Sequence, residues 1–351
     1  MDLSVMFFGA DSTTAGGARH TETYEDILAV ARTADRLGFH AVWTPERHFQ
    51  QVGQVFPSPP VLSAALAVAT ERIGIRAGSV VLPLHHPLSV AEDWAVVDNL
   101  SNGRVGLSVA TGWHSKDFTL APERYEDRRR TALETIPRLR SLWAGEPAEY
   151  PDGTGTPVSV TPQPRPVQDT LPLWITTSGN PETWEAAGRL RAGVLGATVG
   201  QSRDELAEKI ARYRTACAEA PDQRGTDAHG RVTLMAHTYV GTDDAEVRRM
   251  AGAPLKTYLA SYVRQTAANR SADATTASLT EEQTAMLADF AFERYLSWGS
   301  LLGSPGHCAK MLADLAELGV DEVACFIDFG IGRDDVLAGL HRLAELKENL
   351  R

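Results

Sequence analysis

Cysteine is scarce in this sequence: its 351 residues include three, Cys217, Cys308 and Cys325, which lie far apart along the chain. An odd number at wide spacing argues against a disulfide framework, and the absence of a C-x-x-C pair argues against a thiolate zinc site. This cysteine usage is typical of proteins in a reducing compartment, so we expect a cytoplasmic location.

Long apolar runs and excess positive charge are absent as well. No apolar stretch reaches 18 residues, and Asp2 stands where a signal peptide would carry Lys or Arg, so neither a membrane span nor export is expected. The 34 Lys and Arg against 45 Asp and Glu give a net charge of −11, which argues against nucleic acid as a partner. No G-x-G-x-x-G follows a strand pattern, which argues against a Rossmann-type NAD(P)H site. We therefore expect a small-molecule ligand.

The chain does contain eight apolar, strand-like runs that alternate with helical patterns. The runs are residues 3–8, 40–44, 73–82, 104–110, 171–177, 193–198, 232–240 and 322–328. The helical patterns are residues 24–37, 60–70, 89–100, 128–143, 181–189, 203–218, 305–318 and 334–350. Continuous apolar strands are typical of parallel sheets that are buried on both faces. Eight such units predict a (β/α)8 TIM barrel.

Two insertions are predicted within this single domain of residues 1–351. A minimal barrel takes roughly 250 residues, so about 100 remain. The first insertion, near 145–170, is rich in proline and predicts an extended excursion over the barrel mouth. The second, near 251–303, has two helical patterns around a small polar run. It is interpreted either as a lid over the active site or as a solvated linker.

Residues that directly follow the strands are the candidates for chemistry, because the carboxyl end of such a barrel carries the active site. In residues 177–183, small hydroxyl residues and glycine precede a helix that Pro181 can begin. Free backbone N–H groups at a helix start suit a phosphate, and a plain N-cap without ligand is the alternative.

Four histidines also follow the strands: His48, His85, His86 and His114. They could suggest a metal centre, but an H-x-H motif after the first strand is missing, and the adjacent His85 and His86 cannot easily face one ion. We therefore predict no metal site and regard most of these histidines as hydrogen-bonded turn residues. His48 stands out, because it has charged residues on one side and Phe49 on the other.

Four motifs occur together: TPERHF at 44–49, VVLPLHHP at 80–87, LSNGR at 100–104 and GWHSKDF at 112–118. With them the sequence resembles the bacterial luciferase-like flavin monooxygenases, nearly from end to end. SGNPET at 178–183, GSPGHC at 303–308 and CFIDFG at 325–330 are similar to the subgroup from polyketide and nonribosomal-peptide biosynthesis.

The resemblance implies an FMNH2-dependent monooxygenase. Such an enzyme lets O2 add at the flavin C4a carbon and uses the peroxyflavin to insert one oxygen atom into a natural-product intermediate, either free or tethered to a carrier protein. It receives FMNH2 from a separate reductase and commonly forms a homodimer. The alternatives are a deazaflavin-dependent oxidoreductase that transfers a hydride on the same barrel, and a non-catalytic flavin-binding protein.

The resemblance also implies roles for single residues. The implied cofactor-binding residues are Gly78, Ser79, Ala110, Thr111, Gly112, Arg128, Ser178, Gly179 and Thr183. The first five would lie along the flavin ring, with Ala110 next to C4a. The last three would bind the phosphate, and Arg128 or its neighbour Arg129 would supply the positive charge.

The sequence departs from the family pattern at its catalytic motif. The luciferases have Glu-His-His-Phe, whose first histidine is catalytic, and Arg47 stands at that position here. An imidazole exchanges protons near neutral pH and a guanidinium does not. We therefore predict His48 as the acid or base and Arg47 as a group that stabilises negative charge. A family arginine at the phosphate falls on Thr111, and a family cysteine falls on Ala110.

Overall fold

The computed structural model describes residues 1–8, 20–49, 55–177, 179–222, 225–271 and 280–349. The strands in this part of the chain are β1 (Asp2–Met6), β2 (Ala41–Thr44), β3 (Gly74–Val81), β4 (Val105–Ala110), β5 (Ala148–Pro151), β6 (Pro157–Val160), β7 (Leu173–Thr176), β8 (Gly193–Ala197), β9 (Val232–Val240), β10 (Leu301–Gly303) and β11 (Glu322–Phe326).

Eight of these strands close a parallel barrel in the order β1, β2, β3, β4, β7, β8, β9 and β11. The closing pair is β1 with β11, where Asp2 is in register with Glu322. All eight predicted strands are present, and the predicted TIM barrel is confirmed. The short β10 pairs with the end of β9.

The helices of the described residues surround the barrel. They are α1 (His20–Arg36), α2 (Pro59–Ala69), α3 (Pro87–Ser101), α4 (Arg128–Ala144), α5 (Pro181–Arg189), α6 (Arg203–Glu219), α7 (Asp244–Ser271), α8 (Glu281–Ser297), α9 (Pro305–Glu317) and α10 (Arg333–Asn349). Local sequence sets their limits: Ser202 and Glu205 form a capping box that begins α6, and Gly145 ends α4 at a φ of 88°. None of these helices combines the length and apolar character needed to cross a bilayer.

The first insertion does not cross the barrel mouth, so that expectation is wrong. It begins as the antiparallel hairpin of β5 and β6 and continues along the outer helices α3 and α4. The carboxylate of Asp98 on α3 accepts the backbone N–H groups of Val167 and Gln168, at 2.8 and 2.9 Å. The indole of Trp143 on α4 donates to the Gln168 carbonyl. These bonds hold the segment against the outside of the barrel.

The second insertion supplies α7 and α8, and both helices reach the barrel end. Tyr258 of α7 lies edge-on to Phe326, with ring centroids 5.3 Å apart, and also contacts Phe8. The hydroxyl of Tyr295 on α8 is 3.0 Å from Nδ1 of His237 on β9. These contacts favour the lid over the solvated linker.

The amino end of the barrel is closed by a buried ionic cluster around Glu322. Its carboxylate accepts from Nη1 of Arg76 at 2.8 and 2.9 Å, from Arg231, and from the indole of Trp43. Burial alone would raise the pKa of Glu322, but the two arginines lower it to about 2. The carboxylate of Glu322 is thus fully engaged by partners within the chain, and the residues considered for chemistry lie at the carboxyl end.

Candidate functional site

Glu46, just beyond β2, joins two of the four predicted histidines. Its side chain is fully buried, and its Oε1 is 2.8 Å from Nε2 of His48 and 2.7 Å from Nε2 of His85. Its Oε2 accepts the backbone N–H of Val81 at 2.7 Å. Burial would raise the pKa of Glu46, but these three hydrogen bonds lower it below its usual value. Glu46 is therefore an anion, and both imidazoles donate from Nε2 and leave Nδ1 to exchange protons.

The other two histidines have separate surroundings. His86 caps α3, where its Nδ1 accepts from the backbone N–H of Leu88 at 3.3 Å, so it is a turn residue of the kind expected. His114 is buried against Trp113, and burial together with the charge of Arg47 lowers its pKa to about 4. His114 is consequently neutral at neutral pH.

Arg47 is buried at the barrel end beside Phe8. Its guanidinium lies 3.9 Å from the ring centroid of Phe8, and the charges of Asp117 and Asp328 face it. Burial lowers its pKa from the ordinary value, although a guanidinium still remains charged. A buried cation can stabilise a developing anion but cannot take up a proton, and the role predicted for Arg47 stays a prediction.

Described residues contain no group of three or more His, Cys, Asp or Glu side chains placed to hold a metal ion. All three cysteines are buried, and burial raises the pKa of both Cys308 and Cys325 to about 12. These two thiols are therefore unsuited to nucleophilic chemistry.

The predicted ring-contact residues lie on β3 and β4, where the strand pairing is irregular. A register shift separates Gly78 from Val80, and the Gly78–Ser79 peptide bond is cis. A Cβ on Gly78 would lie 3.1 Å from Trp43, which explains the glycine. The hydroxyl of Thr176 on β7 lies between two serine hydroxyls. It is 2.6 Å from the hydroxyl of Ser79 and 2.6 Å from the hydroxyl of Ser108 on β4. Ser108 and Thr176 were not predicted, because they belong to strands that carry no motif.

Arg128 braces the loop that follows β4. Its Nε donates to the carbonyl of Gly112 at 3.2 Å, and its Nη1 donates to the carbonyl of Tyr125 at 2.7 Å. Gly112 has a φ of 77°, and a Cβ there would meet Phe118 at 2.6 Å, so only glycine fits. Arg128 is thus bonded to Gly112, one of the other predicted cofactor-binding residues. Thr111 directly precedes Gly112, and Ala110 is the last residue of β4.

The start of α5 is the predicted phosphate site. Asn180 is the N-cap and its Oδ1 accepts the backbone N–H of Glu182 at 2.9 Å. Gly179 has a φ of 141°, and Thr183 is buried in the first turn. Ser178 lies outside the described residues. The Asn180 cap satisfies one N–H group and leaves others of the first turn for a ligand.

Two cations flank this helix start. Arg129 of α4 forms an ion pair with Glu182 at 3.1 Å. Lys209 of α6 donates from Nζ to Oε1 of Gln201 at 2.7 Å, and its Nζ lies 3.7 Å from the point where Gly179 would carry a Cβ. Of the two arginine alternatives, this geometry favours Arg129. Lys209 was not predicted, because nothing in its helix marks it and it lies 30 residues beyond Gly179.

The far side of the barrel end is aromatic. His237, Tyr258, Phe326 and Phe329 pack together, with the rings of His237 and Phe326 4.3 Å apart. Burial lowers the pKa of His237 to about 3, so this imidazole is neutral. The barrel end beside α7 and α8 is therefore largely aromatic and can bind an apolar group, although the guanidinium of Arg47 also reaches it over Phe8.

A closed (β/α)8 barrel that gathers ionisable side chains at its carboxyl end has the architecture of an enzyme. Across residues 1–322 the chain matches the luciferase-like monooxygenase family model, and it belongs to that family. It is 25% identical over 333 residues to the oxygenase component of flavin-dependent trigonelline monooxygenase from Acinetobacter baylyi, covering 92% of this chain and 88% of the relative.

Solved structures share the fold. Monooxygenase RslO1 from Streptomyces bottropensis has a TM-score of 0.78 at 23% identity and covers 99% of both chains. The oxygenating constituent of 3,6-diketocamphane monooxygenase from Pseudomonas putida, a type II Baeyer-Villiger monooxygenase in complex with FMN, has a TM-score of 0.74 at 18% identity and covers 98% of this chain and 97% of that chain. The predicted family and the flavin-dependent monooxygenase class are confirmed, whereas the residue roles stay predictions.

Proposed function

We propose that this protein is the oxygenase of a two-component system, which takes FMNH2 from a separate reductase and inserts one oxygen atom from O2 into a natural-product intermediate. The observation that carries the proposal is the α5 helix start between Arg129 and Lys209, on the same barrel end as His48, Glu46 and His85. A phosphate-bearing cofactor anchored there would extend toward the acid–base cluster.

The residues at hand fit FMN. In this proposal Ser178, Gly179 and Thr183 bind the phosphate, and Arg129 and Lys209 balance its charge. Lys209 takes the place of the family arginine that is Thr111 here. Gly78, Ser79, Ala110, Thr111 and Gly112 line the ring, and Arg128 positions this loop through the Gly112 carbonyl. When bound, reduced FMN supplies the electrons that activate O2.

The protein's own groups handle protons, charge and water. His48 exchanges a proton at Nδ1, because its Nε2 is committed to Glu46. Arg47 stabilises negative charge from its buried position over Phe8. The helices α7 and α8 exclude water from the barrel end through residues such as Tyr258 and Tyr295.

For the substrate, we propose a small natural-product intermediate, free or tethered to a carrier protein. The aromatic side of the barrel end supports an apolar compound. Carrier docking gains little support from the arginines at the start of α4, since these charges are engaged within the chain. Arg124 donates to the carbonyls of Pro83 and His85, and Arg130 is paired with Asp127 and Glu134.

A homodimer is part of the proposal. Val61 and Val68 on α2 are 71% and 68% exposed, and Val96 and Leu100 on the adjacent α3 are 45% and 47% exposed. Four exposed aliphatic residues on neighbouring helices support self-association through this face. A cytoplasmic location, where a reductase could supply FMNH2, completes the proposal.

Rapid mixing tests the oxygenase function. The protein with FMNH2 is mixed with oxygenated buffer, and the flavin spectrum is followed beside free FMNH2. An absorbance that differs from both reduced and oxidised flavin, and that outlives the free-solution reaction, is expected. Oxidation indistinguishable from free flavin would contradict the proposal. Hydride transfer with a reduced deazaflavin would then be measured as the second hypothesis, and flavin binding without either reaction would leave the non-catalytic binding protein.

A further inference from the structure

One oxygen of Glu46 is shared by two imidazoles. Oε1 is 2.8 Å from Nε2 of His48 and 2.7 Å from Nε2 of His85, while Oε2 is held by the backbone of Val81. The carboxylate therefore carries one negative charge between two rings that can each become positive. Two imidazolium ions on one oxygen repel each other, so the three side chains bind their last proton as a coupled unit.

The surroundings of His85 favour a positive charge there. Burial alone lowers the pKa of His85, but the hydrogen bond and the charge of Glu46, with a smaller contribution from Asp93, raise it above the ordinary value. Arg124 is the opposing cation, and its guanidinium is engaged by the carbonyls of Pro83 and His85. The side chain of His85 is 34% exposed and that of His48 is 10% exposed, so His85 exchanges protons with solvent more readily.

From this geometry we infer that His85 is a positioning residue for proton transfer: a proton on His85 balances the charge of Glu46 and keeps His48 neutral, with Nδ1 free to accept a proton. His85 thus keeps His48 in the form that a general base requires. The inference deepens the proposed function, since His48 is the acid–base residue proposed there.

The titration of His48 in the flavin-free full-length protein tests the inference directly. His48 is followed by NMR in histidine-labelled protein, and its signal is assigned as the one missing from His48→Gln. In His85→Gln a neutral amide replaces the imidazole, and Glu46 then acts on His48 alone. The midpoint of the His48 titration is expected to move to higher pH by about one unit. An unchanged midpoint, or one that moves to lower pH, would overturn the inference.

Two further variants separate charge coupling from general disturbance. His86→Asn changes the neighbouring histidine, which does not touch Glu46, and retains a side chain that can cap α3. It should leave the His48 titration in place, and an equal shift in this control would also overturn the inference. Glu46→Gln should move the His85 titration to lower pH, because the charge that favours imidazolium is lost.

The pH profile of product formation gives a second readout. If His85 keeps His48 neutral, His85→Gln should shift the acidic limb of kcat to higher pH by about one unit while activity at high pH is retained. A uniform loss at every pH would indicate a structural role and overturn the inference. Because the NMR titration needs no flavin, its failure is distinguishable from failure of the proposed oxygenase function.

Discussion

Glu322→Gln tests how the amino end of the barrel is stabilised. The folded protein holds the pKa of Glu322 at about 2, against an ordinary value of 4.5. This difference of about 2.5 pH units corresponds to about 3 kcal/mol of unfolding free energy at neutral pH. Because the folded-state pKa is the lower one, the contribution is complete above pH 4.5 and is lost as the pH falls toward 2.

Removal of this charge also leaves Arg76 and Arg231 without their shared partner. Glu322→Gln should therefore lower the free energy of unfolding by about 3–5 kcal/mol at pH 7. The free energy of unfolding is measured by urea unfolding at pH 7 and pH 3. Tryptophan fluorescence is the signal, since Trp43 and Trp174 pack at this cluster. The difference in the free energy of unfolding between wild type and variant should be about 2 kcal/mol smaller at pH 3 than at pH 7. A difference that is equal at the two pH values would refute the reasoning.

Three further outcomes are expected. Arg129→Gln and Lys209→Gln should each weaken FMN binding about tenfold, since each removes a charge-assisted contact with the phosphate. The affinity for riboflavin, which lacks the phosphate, should not change. Equal losses of affinity for both ligands in calorimetry would place these cations away from the phosphate. Glu182→Gln frees Arg129 from its ion pair, so FMN should bind about threefold more tightly, and weaker binding would count against this competition. Val61→Asp combined with Val68→Asp should yield a folded monomer, because both side chains are exposed; an unchanged mass in light scattering would exclude this dimer face.

The barrel was predictable because its signal is local. Each strand is a short apolar run and each following helix has its own period, so residues 193–198 and 203–218 predicted β8 and α6 almost to their ends. For the same reason, the positions that directly follow the strands made His48 and the α5 start candidates, and their roles stay predictions.

Long-range partners could not be predicted from the same information. Nothing near Glu46 indicates that its carboxylate would hold His85, 39 residues later, and nothing in α6 indicates that Lys209 would approach Gly179. The prediction for the path of the first insertion was wrong for a similar reason. This path depends on the carboxylate of Asp98, which belongs to the outer helix α3. Such contacts depend on the closed barrel, which brings distant strand ends together.

The ion pair between Arg129 and Glu182 bears on the binding and release of a ligand at the start of α5. The carboxylate of Glu182 on α5 neutralises Arg129, one of the two cations at the helix start. In the proposed function, a phosphate at this helix start would compete with the Glu182 carboxylate for Arg129. The Glu182 carboxylate balances the charge of Arg129 when no phosphate is bound there, whereas Lys209 donates to the neutral amide of Gln201. Such competition would suit the proposed two-component function, in which FMNH2 is taken up and the flavin is released in each cycle.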